Sequence, residues 1–319
     1  MKRIFVDNTK LIFSLITNNF SKVCKTAIVL YKILIPVSII IEILKYFHIV
    51  EFIGKILSPI MQFIGLPGEA GIVWATSMLT NLYGGILSYI SIFGNNPLSV
   101  GQITILTFMM LIAHSFFVEI TIAKKSGVKI YQTFLVRFLG AYLAGILLSF
   151  LFSKLHFGYK PSKLIWKSSN AGGGDSFVLL NWLIVQLKNY LLIFIVIYIL
   201  VLIMEFLKKK GILDFLNRNL YVFFKYIGIS QRGIPLLITG LIMGISYGGA
   251  FIISEVESDT ITKEEAFFVI IFLSLCHSLF EDSLLMISLG ADFFILLFGR
   301  FLYSTLITYI ILKISKYYL

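Results

Sequence analysis

The sequence HSFFVEITIAKKSGVKIYQTFLVRFL at residues 114–139 recurs as HSLFEDSLLMISLGADFFILLFGRFL at residues 277–302, which is 163 positions later, with seven of the 26 residues identical. The same offset aligns residues 41–66 with residues 204–229, and a Tyr-Gly-Gly sequence recurs after one inserted residue. A repeat of this length is too long for a solenoid unit and is typical of the two halves of a transporter or channel. The chain is therefore predicted to be an internal duplication.

The composition predicts an integral membrane protein. Of the 319 residues, 58% are hydrophobic and only 13% are charged, and the mean hydropathy is +0.94. A soluble domain of this length would carry far more charge. The formal charge of +11 comes from short Lys and Arg clusters between apolar segments, where such residues set membrane topology, so we expect the lipid bilayer and not nucleic acid as a partner. The two cysteines, Cys24 and Cys276, predict no disulfide framework.

Six apolar segments fit membrane-spanning helices: 26–47, 103–123, 128–153, 186–207, 266–287 and 292–313. Two further apolar segments, 65–93 and 233–257, contain paired glycines, and each pair weakens a helix by about 2 kcal/mol relative to alanine. We expect both segments to break within the membrane. If they are re-entrant hairpins, each half crosses three times and the halves are inverted; if they cross fully, the halves are parallel.

The distribution of basic residues favours the inverted arrangement. With three spans per half and the N-terminus inside, 17 Lys and Arg residues lie inside: five before residue 26, three in 124–129, six in 208–232 and three further lysines. Only seven lie outside, whereas four spans per half give 13 against 11. The turn KKSGVK at 124–129 also corresponds to ISLGAD at 287–292, so equivalent turns are predicted to face opposite sides of the membrane.

The predicted fold class is an all-α polytopic membrane protein built as an inverted repeat, with three transmembrane helices plus one re-entrant helical hairpin or broken helix per half. We expect it in the plasma membrane with both termini in the cytoplasm, and a homo-oligomer remains open. The predicted divisions are a cytoplasmic lead-in at 1–21, a first repeat at 22–150, a connector containing Gly and Lys at 151–184, a second repeat at 185–313 and a tail at 314–319.

Histidines near the middle of two predicted spans are candidate functional residues, because ionisable groups at membrane depth are expensive and need a partner or a role. His114 and His277 occupy equivalent positions in the two halves. A duplication would also have copied a histidine that serves only in packing. His277 and Glu281 are four residues apart, a spacing that suits a shared proton or a metal ion. Val118 stands at the matching position of the first half, so a symmetric two-metal site is not expected.

Two arginines in apolar segments are predicted to form ion pairs. Glu119 and Arg137 lie eight residues before and ten residues after the turn glycine, and Asp282 and Arg300 repeat these distances in the second half. In a tight helical hairpin these depths match within one turn, which predicts Glu119–Arg137 and Asp282–Arg300 pairs. Such a pair can lock two helices or gate a substrate, and the sequence leaves both roles open.

The broken segments are the other candidates for contact with a solute, because an unwound helix at membrane depth turns its free backbone groups toward a cavity. Alternatively, the paired glycines only kink these helices and allow them to pack closely. The candidates are Asn81, Tyr83, Gly84 and Gly85 in the first half and Ser246, Tyr247, Gly248 and Gly249 in the second. Glu69, which follows Pro67, is predicted to cap the first arm of its hairpin.

The motif GLPGEAG at 65–71, the two Tyr-Gly-Gly sequences and the His-Ser-x-Phe motifs at His114 and His277 resemble the gate, or nucleoside-recognition, superfamily of prokaryotic membrane proteins. That superfamily includes concentrative nucleoside transporters, the membrane part of the bacterial ferrous-iron transporter and spore-maturation proteins. The chain is most similar to its small stand-alone members. The resemblance implies a transporter-like core with paired hairpins and a site where their tips meet. No Walker A motif is present, so the chain is not expected to hydrolyse a nucleotide.

The leading functional prediction is transport of a small polar solute, for which a nucleoside is one candidate, through a midplane site between the halves. One alternative is a metal-ion or proton pathway through His114, His277, Cys276, Glu281 and Asp282. A second alternative is a sporulation or envelope factor that does not transport. We expect no enzymatic activity, no cofactor and no resident metal.

Overall fold

The computed structural model describes residues 34–166 and 178–318, together with residues 20, 24, 27–28 and 31–32. Side chains are described for most but not all of these residues. The predicted lead-in at 1–21 lies outside this part of the chain except for residue 20. Residues 26, 29, 30 and 33 of the predicted span at 26–47 and the connector glycines at 172–174 also lie outside it. Within the described residues the fold is helical, and strand pairing is limited to one isolated bridge between Ser99 and Pro161.

The described residues form fourteen helices and one short π-helical segment. They are α1 (34–46), α2 (Ile49–Gln62), α3 (Ala70–Leu79), α4 (Leu82–Phe93), α5 (Val100–Ile112), α6 (Phe116–Lys125), α7 (Ile130–Leu155), α8 (Val178–Lys209), α9 (Ile212–Ile227), α10 (Gly233–Met243), α11 (Ile245–Glu257), α12 (Lys263–Leu275), α13 (Leu279–Ile287), the π-helical segment Ile295–Gly299 and α14 (Arg300–Tyr318).

Five helical stretches in the described residues are long and apolar enough to cross a membrane, judged by length and composition. They are Val100–Lys125, Ile130–Leu155, Leu180–Ile203, Lys263–Ile287 and Ile295–Ile314. These five confirm five of the six predicted spans to within a few residues at each end. The sixth, at 26–47, is helical from residue 34 onward, and its beginning lies partly outside the described residues.

The five stretches differ in how much of their surface is buried inside the protein. Val100–Lys125 and Lys263–Ile287 are largely buried, whereas the other three are mostly exposed along their apolar sides. Exposed leucines at a spacing of four residues, Leu135, Leu139 and Leu143, give α7 the outward apolar surface that contact with lipid requires. The two buried stretches are therefore the centre of the protein, and the other three surround them.

The internal duplication is visible in how equivalent helices begin. The Ser99 hydroxyl accepts a hydrogen bond from the Gln102 backbone N–H, and the Gln102 side chain accepts one from the Ser99 N–H. Thr262 and Glu265, each 163 residues later, form the same reciprocal capping box at the start of α12. Both buried stretches thus start with the same two hydrogen bonds, which satisfy backbone donors that the first turn of a helix leaves free.

Equivalent positions of the two halves also meet each other. The Tyr303 hydroxyl donates a 2.6 Å hydrogen bond to the backbone carbonyl of Gly140, which stands 163 residues earlier. This contact brings equivalent positions of α7 and α14 together in the core.

Candidate functional site

Both buried stretches are interrupted at their histidines, where the sequence predicts unbroken helices. The first stretch ends as α5 at Ile112 and resumes as α6 at Phe116, and the second is interrupted in the same way between Leu275 and Leu279. Ser115 and Ser278 adopt left-handed backbone conformations, with φ of 50° and 43°. Such a conformation is uncommon for a residue with a side chain. The prediction of continuous helices through 103–123 and 266–287 is therefore wrong at this one place in each half.

Each interruption is hydrogen-bonded to a neighbouring helix pair. The Ser115 backbone N–H donates to the carbonyl of Ser77 near the end of α3, at 3.0 Å. The Ser278 N–H donates to the carbonyl of Gly240 in α10, at 3.2 Å and again 163 residues later. These bonds connect four chain breaks in the core: the two in the buried stretches and the two between α3 and α4 and between α10 and α11.

The break between α3 and α4 precedes the Tyr-Gly-Gly sequence and does not lie within it. Asn81 is the N-cap of α4, and its side-chain oxygen accepts a 3.0 Å hydrogen bond from the Gly84 N–H. Tyr83, Gly84 and Gly85 are therefore helical, which corrects the prediction that they are unwound. A Cβ atom at Gly85 would lie 2.8 Å from Cβ of Ser77, so this glycine allows the two arms to pack side by side as a hairpin.

In the second half the corresponding break falls at Gly244, which has a φ of +87° that favours glycine. The predicted site residues 246–249 follow it as part of helix α11, so their backbone is not unwound either. The side chains of Ser246 and Tyr247, and the surroundings of Gly248, are not among those that the structure describes. Gly249 is buried, and a Cβ atom there would lie 2.5 Å from Cγ2 of Ile122, so it permits close packing against α6.

The two predicted histidines meet at the centre of the protein. Nε2 of His114 lies 3.3 Å from Nε2 of His277, and both side chains are buried. Nδ1 of His114 bonds to the carbonyl oxygen of Met110 and Nδ1 of His277 to that of Leu273, both at 2.9 Å. Because a carbonyl only accepts, each Nδ1 carries the hydrogen, and each neutral ring directs the lone pair of Nε2 toward the other ring.

The predicted ion pair of the first half is confirmed, because Glu119 and Arg137 form a buried ion pair. Arg137 also donates from Nε to the Ile112 carbonyl at 2.8 Å and from Nη2 to the His114 carbonyl at 2.7 Å. These carbonyls are free because the helix stops here, and a cation at the C-terminal end of a helix is favourable. Oε1 of Glu119 lies 3.8 Å from Nε2 of His114 and 3.7 Å from Nε2 of His277.

The predicted ion pair of the second half is not formed. Arg300 binds the carbonyls of Leu275 and His277, at 3.0 and 2.6 Å, as Arg137 does in the first half. Its Nη1 atom, however, is buried without a hydrogen-bond partner, and Asp282 does not reach it. Glu119, by contrast, both pairs with its arginine and lies beside the two histidines. The site is therefore duplicated in sequence but asymmetric in geometry.

Among the other predicted residues, Asp282 approaches the histidines. A carboxylate oxygen of Asp282 and one nitrogen of each ring all lie within 4.8 Å of one another. Glu281, the residue predicted to share a helix face with His277, is not in this group, because the chain break at His277 removes the expected i, i+4 geometry. Tyr83 lies near enough to both acids to interact with their charge. Cys276 is buried at the break beside His277.

Glu69 occupies the N-cap position of α3, but its side chain makes no capping hydrogen bond, so the predicted capping role is wrong. Its neighbour Gly68 explains part of the GLPGEAG motif. A Cβ atom at Gly68 would fall 1.8 Å from the carbonyl oxygen of Gly54, so only glycine lets the start of the hairpin approach α2 this closely. In the described residues this motif therefore serves packing.

Comparisons with known proteins agree with the resemblance seen in the sequence. The Gate family model, described as nucleoside recognition, matches residues 27–129. The chain is similar to an uncharacterized membrane protein, YvoD, of Bacillus subtilis (strain 168), with 28% identity over 286 residues that cover 89% of each chain. No solved structure gives a significant match. The chain is thus a membrane protein in which residues 27–129 match the model of the Gate, or nucleoside-recognition, family.

Proposed function

We propose that this protein transports a small polar solute across the plasma membrane through a midplane site between two inverted repeats, at residues 22–150 and 185–313. The observation that carries the proposal is the buried cluster of His114, His277, Glu119, Arg137 and Arg300, which four of the apolar stretches contribute. Buried ionisable groups at membrane depth usually mark a substrate or ion pathway.

The chain breaks around the cluster support the same function. In secondary transporters, discontinuous helices place their free backbone groups and half-helix ends around a site at the interface between repeats. Here the two breaks at the histidines adjoin the two hairpin tips, and the histidines approach each other from the two halves. Glu119 and Asp282 stand in the first turns of α6 and α13, where a carboxylate is favourable. The proposed activity requires neither catalysis nor a cofactor.

Inversion of the repeats is part of the proposal and can be tested directly. Lys124 and Ile287 are equivalent residues near the ends of the two buried stretches, and both are exposed. Lys124→Cys and Ile287→Cys, each made in a Cys24→Ser background, should react with a membrane-impermeant maleimide from opposite sides of oriented vesicles, Lys124→Cys from the cytoplasmic side. Labelling of both positions from one side would contradict the inversion.

Transport itself is tested in proteoliposomes, with uptake of nucleosides first and then of small organic ions and divalent metals. Transport that is lost in His277→Ala and kept in His48→Ala supports the proposal, because His48 is an exposed residue far along the chain from the cluster. If none of these solutes moves and none raises the thermal stability of the protein, the proposal fails and a role as an envelope or sporulation factor becomes the better hypothesis.

The contact between the two imidazole rings favours a second candidate function, a metal-ion or proton pathway. A current or ion flux that is abolished by His277→Ala, without uptake of any organic solute, would support this candidate over the first.

A further inference from the structure

We propose that His114 and His277 together bind one divalent transition-metal ion between the two halves, with Glu119 and Asp282 as oxygen ligands. The inference rests on the proposed function in that it places the ion at the centre of the same midplane site. Its test is binding, which can be measured separately from transport.

The orientation of the two rings is the first argument. Both Nδ1 atoms donate to carbonyl oxygens of the preceding helical turn, which leaves both Nε2 atoms as acceptors. Two acceptors 3.3 Å apart cannot bond to each other, whereas a cation between them binds both lone pairs. Histidines that bind metals commonly donate the other ring nitrogen to a backbone carbonyl in this way, because that bond fixes the tautomer and the ring orientation.

The distance between the rings is the second argument. Zinc binds imidazole nitrogen at about 2.0–2.1 Å, so two ligands of a tetrahedral site are about 3.3–3.4 Å apart. The observed separation of the Nε2 atoms is 3.3 Å. The two nitrogens therefore already have the spacing of one edge of a tetrahedral site.

Two carboxylates can complete the coordination. Oε1 of Glu119 lies 3.8 and 3.7 Å from the two Nε2 atoms, which is within about half an ångström of the tetrahedral spacing. An oxygen of Asp282 lies within 4.8 Å of both rings. Two nitrogens and two carboxylate oxygens suit zinc and other divalent transition metals, whereas calcium and magnesium prefer oxygen ligands alone.

The two arginines limit how tightly such an ion binds. Arg137 and Arg300 both carry positive charge close to the histidines, and they oppose a dication there. Glu119 and Asp282 offset the charge of the two arginines, so the ion gains little further attraction from the acids. We therefore expect reversible binding that is weaker than in a closed structural zinc site. Weak binding suits an ion that has to leave the site as well as enter it.

The test uses the full chain, purified in detergent and stripped of metal with a chelator. Titration with Co²⁺ should give the visible absorption of a tetrahedral Co²⁺ site, and calorimetry with Zn²⁺ should give one ion per chain. His277→Ala and His114→Ala should each weaken binding at least tenfold. The matched control replaces the other two histidines, His48 and His156, and should bind as the unchanged protein does.

A measurement on the unchanged protein removes the risk that the variants misfold. X-ray absorption of the zinc-loaded protein should show two imidazole ligands and the remainder oxygen. The proposal is overturned if Co²⁺ and Zn²⁺ do not bind saturably, if the His48 and His156 control loses the binding instead, or if fewer than two imidazoles bind. Binding without transport would uphold this inference and oppose the proposed function; transport of a polar solute by a chain that binds no metal would do the reverse.

Discussion

The buried Glu119–Arg137 ion pair gives the most direct prediction for stability. Arg137→Gln removes the cationic partner of a carboxylate that is only 1% exposed, and it also removes charged donors from two backbone carbonyls. Breaking one side of a buried pair typically destabilises a protein by about 3–5 kcal/mol, because the remaining charge stays buried and unpaired. At about 2 °C per kcal/mol for a large domain, we expect the melting temperature to fall by about 6–10 °C.

The melting temperature can be followed in detergent by the intrinsic fluorescence of the protein, which includes the buried Trp74. A double-mutant cycle isolates the interaction. Glu119→Gln/Arg137→Gln should be more stable than the sum of the two single changes predicts, because neither partner of this pair is then left charged without the other. The control is the Glu42–Lys45 pair, which is partly exposed at 3.5 Å and should be worth at most about 1 kcal/mol. If Arg137→Gln is no more harmful than Lys45→Gln, or if the cycle is additive, the reasoning is refuted.

Two further predictions concern glycine and tyrosine positions and use the same thermal measurement. Gly244→Ala should destabilise the protein more than Gly228→Ala: both glycines have positive φ, but a Cβ atom at Gly244 would lie 2.4 Å from Oγ of Ser278, whereas one at Gly228 meets nothing within 4 Å. The backbone cost is about 1–2 kcal/mol at Gly228, which is in the left-handed helical region, and up to about 3 kcal/mol at Gly244, whose φ of 87° and ψ of 167° essentially only glycine adopts. Ser278→Ala should therefore recover part of the loss at Gly244, and an equal loss in Gly244→Ala with and without Ser278→Ala would disprove the contact. Tyr303→Phe removes a buried 2.6 Å hydrogen bond between the two halves and should cost about 1 kcal/mol, whereas Tyr142→Phe removes a more exposed one and should cost clearly less.

Hydropathy and the internal repeat predict much of this fold, because both can be recognised in the sequence without knowing which segments pack together. The five confirmed spans follow from the length of apolar sequence alone. The Glu119–Arg137 pair also follows, since distances of eight and ten residues from a turn glycine place two residues at depths that match within one helical turn. The topology of the halves depends on charge counts, and it remains a prediction until the cysteine labelling is done.

The breaks at the histidines could not be predicted, because neither contains glycine or proline and the apolar segments continue through them. What stabilises the left-handed Ser115 and Ser278 is tertiary: the backbone N–H of each serine bonds to a carbonyl of a hairpin some 38 residues earlier in the chain. The positions of the Tyr-Gly-Gly glycines were misjudged for a related reason. A glycine that permits a close approach, such as Gly85, has the same sequence signal as one that breaks a helix.

The helix breaks at the histidines explain why charged residues are buried in the core. Interrupting α5 and α12 frees carbonyl groups in the apolar core, and only strong donors at that depth can satisfy them. Arg137 and Arg300 supply those donors, but each brings a charge that needs a carboxylate. Glu119 meets that need for Arg137 and lies beside both histidines, whereas Asp282 forms no matching ion pair with Arg300.

The second half is therefore left with an arginine donor that has no acceptor and with an aspartate that approaches the imidazoles without reaching the arginine. A site that stabilised the fold alone would gain from pairing Arg300 with Asp282, because an unsatisfied buried donor is destabilising. The unpaired groups lie where the two halves meet, next to both hairpins. That position, more than the presence of charge itself, favours a site that completes its coordination when a solute or an ion enters.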